Sequence, residues 1–228
     1  MNGDDLSKPR HMRSMRLLQA ERLAIKEIID RLMERNDPIG QCEAAISLAR
    51  ICPDSEFVRS AVIELDGLVG LCSLLSSEEH EPTSEARVYA CRALASLCLG
   101  GYPGRLMDPA DVQYQICVVH GVLPHVVSGL LACGDPRVKP TAEEQLLCAA
   151  CATLTAALVE DNAANQQAFA AAGVLEPLVV MLGSPGQSFI GIDLPAHAAA
   201  AIAGLSAHPF HQGTIATHGA LGPLVNNL

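Results

Sequence analysis

Residues 165–182 read NQQAFAAAGVLEPLVVML, and their order decides the fold. A short amphipathic stretch runs up to Gly173, and a second, apolar stretch starts directly after it. Phe169 and Ala172 lie three apart and can share one helical face. Gly173 is where the first helix stops and the chain turns, a backbone that glycine adopts at least steric cost. Pro177 falls in the first turn of the following helix, where a missing N–H is harmless. Leu175, Leu178, Val179 and Leu182 then repeat at the spacing of a buried helical face.

The same order returns in residues 57–75 (FVRSAVIELDGLVGLCSLL), 114–131 (YQICVVHGVLPHVVSGLL) and 212–228 (QGTIATHGALGPLVNNL). The glycines are Gly67, Gly121, Gly173 and Gly219, separated by 54, 52 and 46 residues. Self-similarity at such a period is the signature of a solenoid, in which each unit buries its apolar face against its neighbours.

Composition agrees. Of the 228 residues 50% are hydrophobic, only 3% are aromatic and Trp is absent, so Ala and Leu carry the burial and helices can pack closely. No run of about 18 apolar residues is free of charge or glycine breaks, so no transmembrane helix is expected. The first ten residues, MNGDDLSKPR, lack the apolar core of a signal peptide. Most of the nine cysteines, Cys72, Cys91, Cys98, Cys148 and Cys151 among them, sit within apolar helical faces as small hydrophobes. With no secretory signal, the expectation is a reducing, intracellular compartment, cytoplasmic or nuclear.

The net charge of −10 is unevenly spread: residues 1–35 hold eight Lys/Arg and six Asp/Glu, whereas residues 141–228 hold no Lys or Arg and six acids. Phosphate contacts need cations, so the C-terminal half is not expected to bind nucleic acid. A basic or neutral protein partner suits it.

In chain order, residues 1–10 are polar and expected to be disordered. Residues 11–53 hold an N-terminal helix and a partial first unit. That helix, over residues 10–35, lines up Met15, Leu18, Arg22, Ile25, Ile28, Ile29 and Leu32 and allows a Glu27–Arg31 pair. Its basic start (Lys8, Arg10, Arg13, Arg16) reads as a solvated face or solenoid cap, with a partner-binding segment as the sharper alternative. A turn at Asn36, Asp37 and Pro38 leads to a helix over residues 41–52, ended by Pro53. The second unit, 54–107, opens at Asp54 as N-cap. The third, 108–160, opens with Asp108 and Pro109 and contains a capping box, Thr141 to Glu144, before a long helix to Val159. The fourth spans 161–207 and the partial fifth 208–228. Phe189 and Ile190 lie in a long loop and either fold back on the body or offer a docking site.

These units resemble armadillo repeats. The family pattern is a short first helix, a glycine, a second helix with a Leu-Val-x-Leu-Leu-like run, a polar loop and an Ala/Leu-rich third helix. Here it is matched by Ala172 to Val179, by Gly219 to Val225, and in the third helices by Ala93 to Leu97 and Ala201 to Leu205. The resemblance covers residues 20–228. It implies an all-α, right-handed α-solenoid whose third helices line a concave groove. In nuclear-import adaptors of this family, the third helix carries a Trp and, four residues on, an Asn, which grip an extended basic peptide. This chain departs there. The Trp-like positions hold Ile46, Arg92, Ala152 and Ala200, and the Asn-like positions Arg50, Ser96, Ala156 and Gly204. A floor of Ala and Gly suits an apolar helix laid in the groove better than an extended strand.

Catalytic chemistry is hard to place. The Cys148-x-x-Cys151 pair lacks a second pair for a structural zinc. Cys117, His120 and His125 form one histidine–cysteine trio, and His208, His211 and His218 a histidine trio. His120 and His218, however, directly precede repeat glycines, where a histidine complements the helix dipole. There is no G-x-S-x-G, Walker A, HExxH or dinucleotide fingerprint in a strand–helix context. The sequence therefore predicts a non-enzymatic interaction scaffold or adaptor with no cofactor or metal, no nucleic-acid partner and no membrane partner. Its predicted partner is a helix or peptide segment of another protein. The alternative is a structural subunit packed permanently in a larger assembly, cytoskeletal or axonemal for example. Self-association or a capping partner would then cover the open C-terminal end.

Overall fold

The computed structural model describes residues 8–76, 83–98, 108–133, 140–184 and 192–226, with side chains from Leu17 onward. Among these residues there are α-helices and one π-helical turn, and no strand. The first unit holds α1 (Lys8–Leu32) and α2 (Pro38–Ile51). The second holds α3 (Glu56–Glu64), α4 (Gly67–Ser76) and α5 (Ser84–Cys98). The third holds α6 (Pro109–Tyr114), the π turn Gln115–Val119, α7 (Leu123–Leu131) and α8 (Ala142–Val159). The fourth holds α9 (Ala163–Ala171), α10 (Leu175–Leu182) and α11 (Leu194–Ser206), and α12 (Pro209–Thr217) and α13 (Leu221–Asn226) close the stack. The loops around residues 77–82, 99–107, 134–139 and 185–191, with Phe189 and Ile190, and the N-terminal seven residues lie outside the described residues.

The most extensive packing joins third helix to third helix: α2 with α5, α5 with α8, and α8 with α11. These helices form one continuous layer, and the first and second helices of each unit cover its other side. The core follows this plan. Leu48, Leu94, Leu154, Leu158, Ile202 and Leu205, all from third helices, are at most 2% exposed. Helix α8 is long and apolar enough to span a bilayer, contrary to the expectation that no such helix exists. Its apolar faces are instead covered by α5, α7 and α11.

Helix starts are set by short polar side chains. Asp37 accepts from Gly40 N at 2.8 Å, with Pro38 in the first helical position, so α2 begins three residues before residue 41. The Asn-Asp-Pro turn is thus the helix cap itself. Ser55, not Asp54, caps α3, accepting from Val58 N at 3.3 Å. Asp108 caps α6 with Pro109 behind it, and the Thr141–Glu144 box opens α8. Two Thr141 donors, the backbone N–H and the hydroxyl, hold the Glu144 carboxyl below its ordinary range.

Between first and second helices the chain needs a left-handed residue. Gly121, Gly173 and Gly219 supply it with φ of 60°, 82° and 83°. In the second unit the left-handed residue is Asp66 (φ 61°), one position before the glycine that the periodicity singles out. Gly67 is instead the first residue of α4. A Cβ there would sit 2.6 Å from Val62 Cγ1, so its role is close approach. Ala172 is exposed in the turn, and Val174, fully buried, takes the core place beside Phe169. In α1, Arg31 pairs with Glu43 on α2 at 2.7 Å instead of with Glu27, and Arg22 pairs with Glu64 at 2.6 Å.

The carbonyls at the end of α8 are satisfied by amide side chains from elements on either side. Gln113 Nε2, on α6, donates to Ala157 O at 2.9 Å and Glu160 O at 3.0 Å. Asn165 donates to Leu158 O at 2.8 Å and Gln166 to Val159 O at 2.9 Å, both from α9. Asn162 Nδ2 donates to Gln113 Oε1 at 2.8 Å and joins the two sets. A helix leaves its last carbonyls without intrahelical partners, and here α6 of the same unit and α9 of the next provide the donors.

Candidate partner-binding groove

A groove of about 570 Å³ crosses the exposed faces of all four third helices. Ala49 and Pro53 come from the end of α2, Arg92, Ala95 and Ser96 from α5, Thr153, Ala156, Ala157 and Glu160 from α8 and its end, and Ala200 and Gly204 from α11. A smaller depression of about 380 Å³ adjoins it at the N-terminal ends of α5 and α8, lined among others by Glu85, Tyr89, Arg92, Glu143 and Leu146. Arg92 lines both.

Of the residues expected in the groove, Arg92, Ser96, Ala156, Ala200 and Gly204 line it together. Ile46 and Arg50 do not: Ile46 packs against the core and Arg50 is exposed on α2. Ala152 is 0% exposed and belongs to the core, so it is corrected from groove residue to packing residue. Helix α8 is rotated so that Thr153, one position on, faces out. Gly204 also differs from its expected part as open floor. A Cβ there would meet Val159 Cγ2 at 2.7 Å, so this glycine lets α11 lie close to the end of α8. The lining residues that the sequence reading missed are Ala49, Pro53, Ala95, Thr153, Ala157 and Glu160. They lie within a turn of the positions it named, because a four-residue ladder samples one line of a face several residues wide.

The polar atoms of the groove are few. Ser96 Oγ donates to Arg92 O of its own helix at 2.9 Å, so the Asn-like position of α5 offers no free amide. The Arg92 guanidinium lies 5.4 Å from the Tyr89 ring centroid, one turn back, as a cation–π contact. Thr153 Oγ1 is 2.9 Å from Ala149 O and 3.0 Å from His197 Nδ1 on α11. The single hydroxyl proton goes to the carbonyl, which can only accept, so both contacts are hydrogen bonds when His197 Nδ1 carries the proton and donates. Its Nε2 then bears the lone pair of the neutral ring. Burial and then the Arg92 charge lower the His197 pKa, against a smaller pull upward from Asp193.

Other candidate chemistry disperses. Among the described residues no group of three or more His, Cys, Asp or Glu is placed to hold a metal ion. All nine cysteines are free, and burial pushes the Cys52, Cys72 and Cys117 thiols up to about 12, far from the thiolate form at neutral pH. Cys151 fits beneath Gly129, where a Cβ would be 2.4 Å from its Sγ, and Cys148 Sγ donates to Gly129 O at 3.2 Å. His218 ends α12 with Nδ1 2.7 Å from Thr214 O, the helix-terminal place its sequence position indicated.

Comparison with solved structures decides the architecture. A computationally designed armadillo repeat protein for modular peptide recognition is 22% identical with a TM-score of 0.64, covering 89% of this chain and 73% of the other. A second, in complex with the peptide (KR)4, is 20% identical with a TM-score of 0.63, again covering 89% and 73%. The fold is an armadillo-repeat solenoid. An engineered protein at 24% identity and a TM-score of 0.67, covering 89% of this chain and 72% of the other, superposes equally well on this armadillo fold. No family model matches the sequence, and no curated protein matches it significantly.

Proposed function

We propose that the protein is a non-enzymatic binding scaffold that holds a segment of another protein in the groove across its third helices. The observation that carries this reading is the groove itself: four consecutive units contribute mostly small side chains to one continuous surface. A solenoid presents its extended surface in this way. A designed armadillo neighbour bound to a peptide supports it at the level of partner class. The departures favour a helix over an extended strand as the bound segment. With Ser96, Ala156 and Gly204 at the Asn-like positions, no amide ladder is present to hydrogen-bond an extended backbone. A helix satisfies its own backbone and needs only space and apolar contact. We place the protein in a reducing intracellular compartment, where nine free thiols persist.

The test charges the floor at half-buried Ala156 and exposed Ala200. Ala156→Arg with Ala200→Glu should remove binding of any segment selected on the wild-type protein and leave helicity by circular dichroism unchanged. Ala152 is unsuitable for this purpose, since a charge there would be buried. Retained binding by the double variant moves the interface elsewhere. A second reading, a subunit covered in a larger assembly, is favoured by Phe210, Leu221 and Val225, which are 79%, 58% and 69% exposed on α12 and α13.

A further inference from the structure

Residues 141–228 contain no Lys or Arg, so α8 and α11 bring no permanent cation to the groove. Among the described residues lining either depression, Arg92 is the one Lys or Arg, and it stands where the two meet. The ion pairs among the described residues are Arg22 with Glu64, Lys26 with Asp30, and Arg31 with Glu43, all made by α1. Arg92 therefore has no carboxylate partner among them, although Glu143 and Glu160 line the same surface to either side. Its guanidinium lies over Tyr89, and none of the hydrogen bonds or ion pairs among the described residues uses its donor edge. His197, on the helix beyond, is half-buried with its Nδ1 3.0 Å from Thr153 Oγ1.

We propose that Arg92 forms a carboxylate site in this groove, and that the segment docking there presents an Asp or Glu side chain to it. The proposal rests on the groove reading and adds the chemistry of the anchoring residue. A guanidinium fork matches a carboxylate in plane and in spacing, and such charge-assisted pairs are the strong ones. The acids at the flanks, Glu143 on one side and Glu160 on the other, disfavour a uniformly acidic ligand. The fitting segment carries one central acid between neutral or basic positions. The designed neighbour's peptide, (KR)4, has the opposite sign at every position.

His197 gives the site a second signature. The charges acting on it are Arg92 from α5 and Asp193 from its own helix; Thr153 on α8 is neutral. The remaining charged or titratable groups on elements packed against α11 are Glu143, Glu144, Cys148, Cys151, Glu160 and Asp161 on or just beyond α8, Glu176 on α10, and His208, His211 and His218 on or beside α12. Burial is the main influence holding the His197 pKa down and the Arg92 charge the second, and a carboxylate seated on Arg92 offsets the second. The ring then takes a proton from solvent, and binding is accompanied by proton uptake. Affinity should rise as pH falls from 8 to 6, since the bound state holds more protons than the free state.

The experiment selects from a displayed library of random 16-residue peptides on the wild-type protein, then measures single peptides by fluorescence anisotropy. We expect enriched peptides to share one Asp or Glu. Replacing it by Gln or Asn should weaken binding about tenfold, the effect of losing one charge-assisted contact. Arg92→Gln should erase that difference, and Arg92→Glu should select Lys or Arg at the same position. His197→Gln should retain binding and flatten its pH dependence. Circular dichroism of each variant should match the wild type, because Arg92 is exposed and glutamine fits the half-buried place of His197. Enriched peptides without a shared acid, or bound equally after Arg92→Gln, overturn the carboxylate site. If those same peptides are lost on Ala156→Arg with Ala200→Glu, the groove reading survives that outcome. Peptides indifferent to both changes, or no enrichment over a column without protein, overturn the groove and the carboxylate site together.

Discussion

Asp66 holds a left-handed backbone that three glycines hold elsewhere in the solenoid. A Cβ in that conformation costs about 1–2 kcal/mol, offset in part by the chain entropy that a glycine adds to the unfolded state. Asp66→Gly should therefore raise stability by up to about 1 kcal/mol. Gly173→Ala, at φ 82°, should lower it by about 1 kcal/mol or more. Urea denaturation monitored by circular dichroism checks both, and a loss on Asp66→Gly would mean that the aspartate side chain stabilises the turn. The same position shows what was legible at this scale. The periodicity located the turn but chose Gly67, because glycine is the usual marker of a left-handed residue. Nothing in the letters separates a glycine needed for its φ from one needed because Val62 is too close.

At the scale of the helix, capping was readable where the signal is local. The Thr141–Glu144 box and the Asp108–Pro109 start depend only on side chains reaching their own backbone. The amide caps at the end of α8 were not, because Gln113 lies 44 residues before the carbonyl it meets at Ala157. A buried glutamine in a solenoid reads in sequence as one more polar residue. Gln113 is 3% exposed, and Gln113→Ala would strand two carbonyls and the Asn162 amide. Its cost should be about 2–3 kcal/mol, and the double variant with Asn162→Ala should cost less than the sum, because the two share a bond. Additive losses in a denaturation cycle would show that the residues act separately. The groove was legible to the helix but not to the residue. The third helices were placed correctly, while a one-position rotation of α8 moved Ala152 inside and Thr153 out.

Over the whole molecule, repetition of one weak pattern carried the architecture, where each motif taken singly carries little. Which helices face each other, and that they are helices throughout the described residues, followed from that repetition and from an Ala/Leu core. What occupies the surfaces did not follow, since exposed side chains are under no packing constraint that a sequence displays. The apolar side chains of α12 and α13 bear on this. If they form an interface between copies, light scattering should show a mass above 24.0 kDa that rises with concentration, and Phe210→Ser with Leu221→Ser should return it to the monomer. A monomer at all concentrations would assign that face to a different partner or to none.

The amide-filled end of α8 has a mechanical consequence. Among the described residues, the side chain of Arg59 holds the end of α2, bonding Cys52 O and Pro53 O, and Gln212 holds the end of α11 on Ser206 O. Three amides from two directions hold the end of α8. The solenoid is thus a spring of unequal stiffness, rigid between its third and fourth units and compliant towards α12. A bound segment that demands another curvature would flex the C-terminal joint first. The stretch carrying Arg92, Thr153 and His197 would hold its shape, a fixed jaw against which the softer end can close.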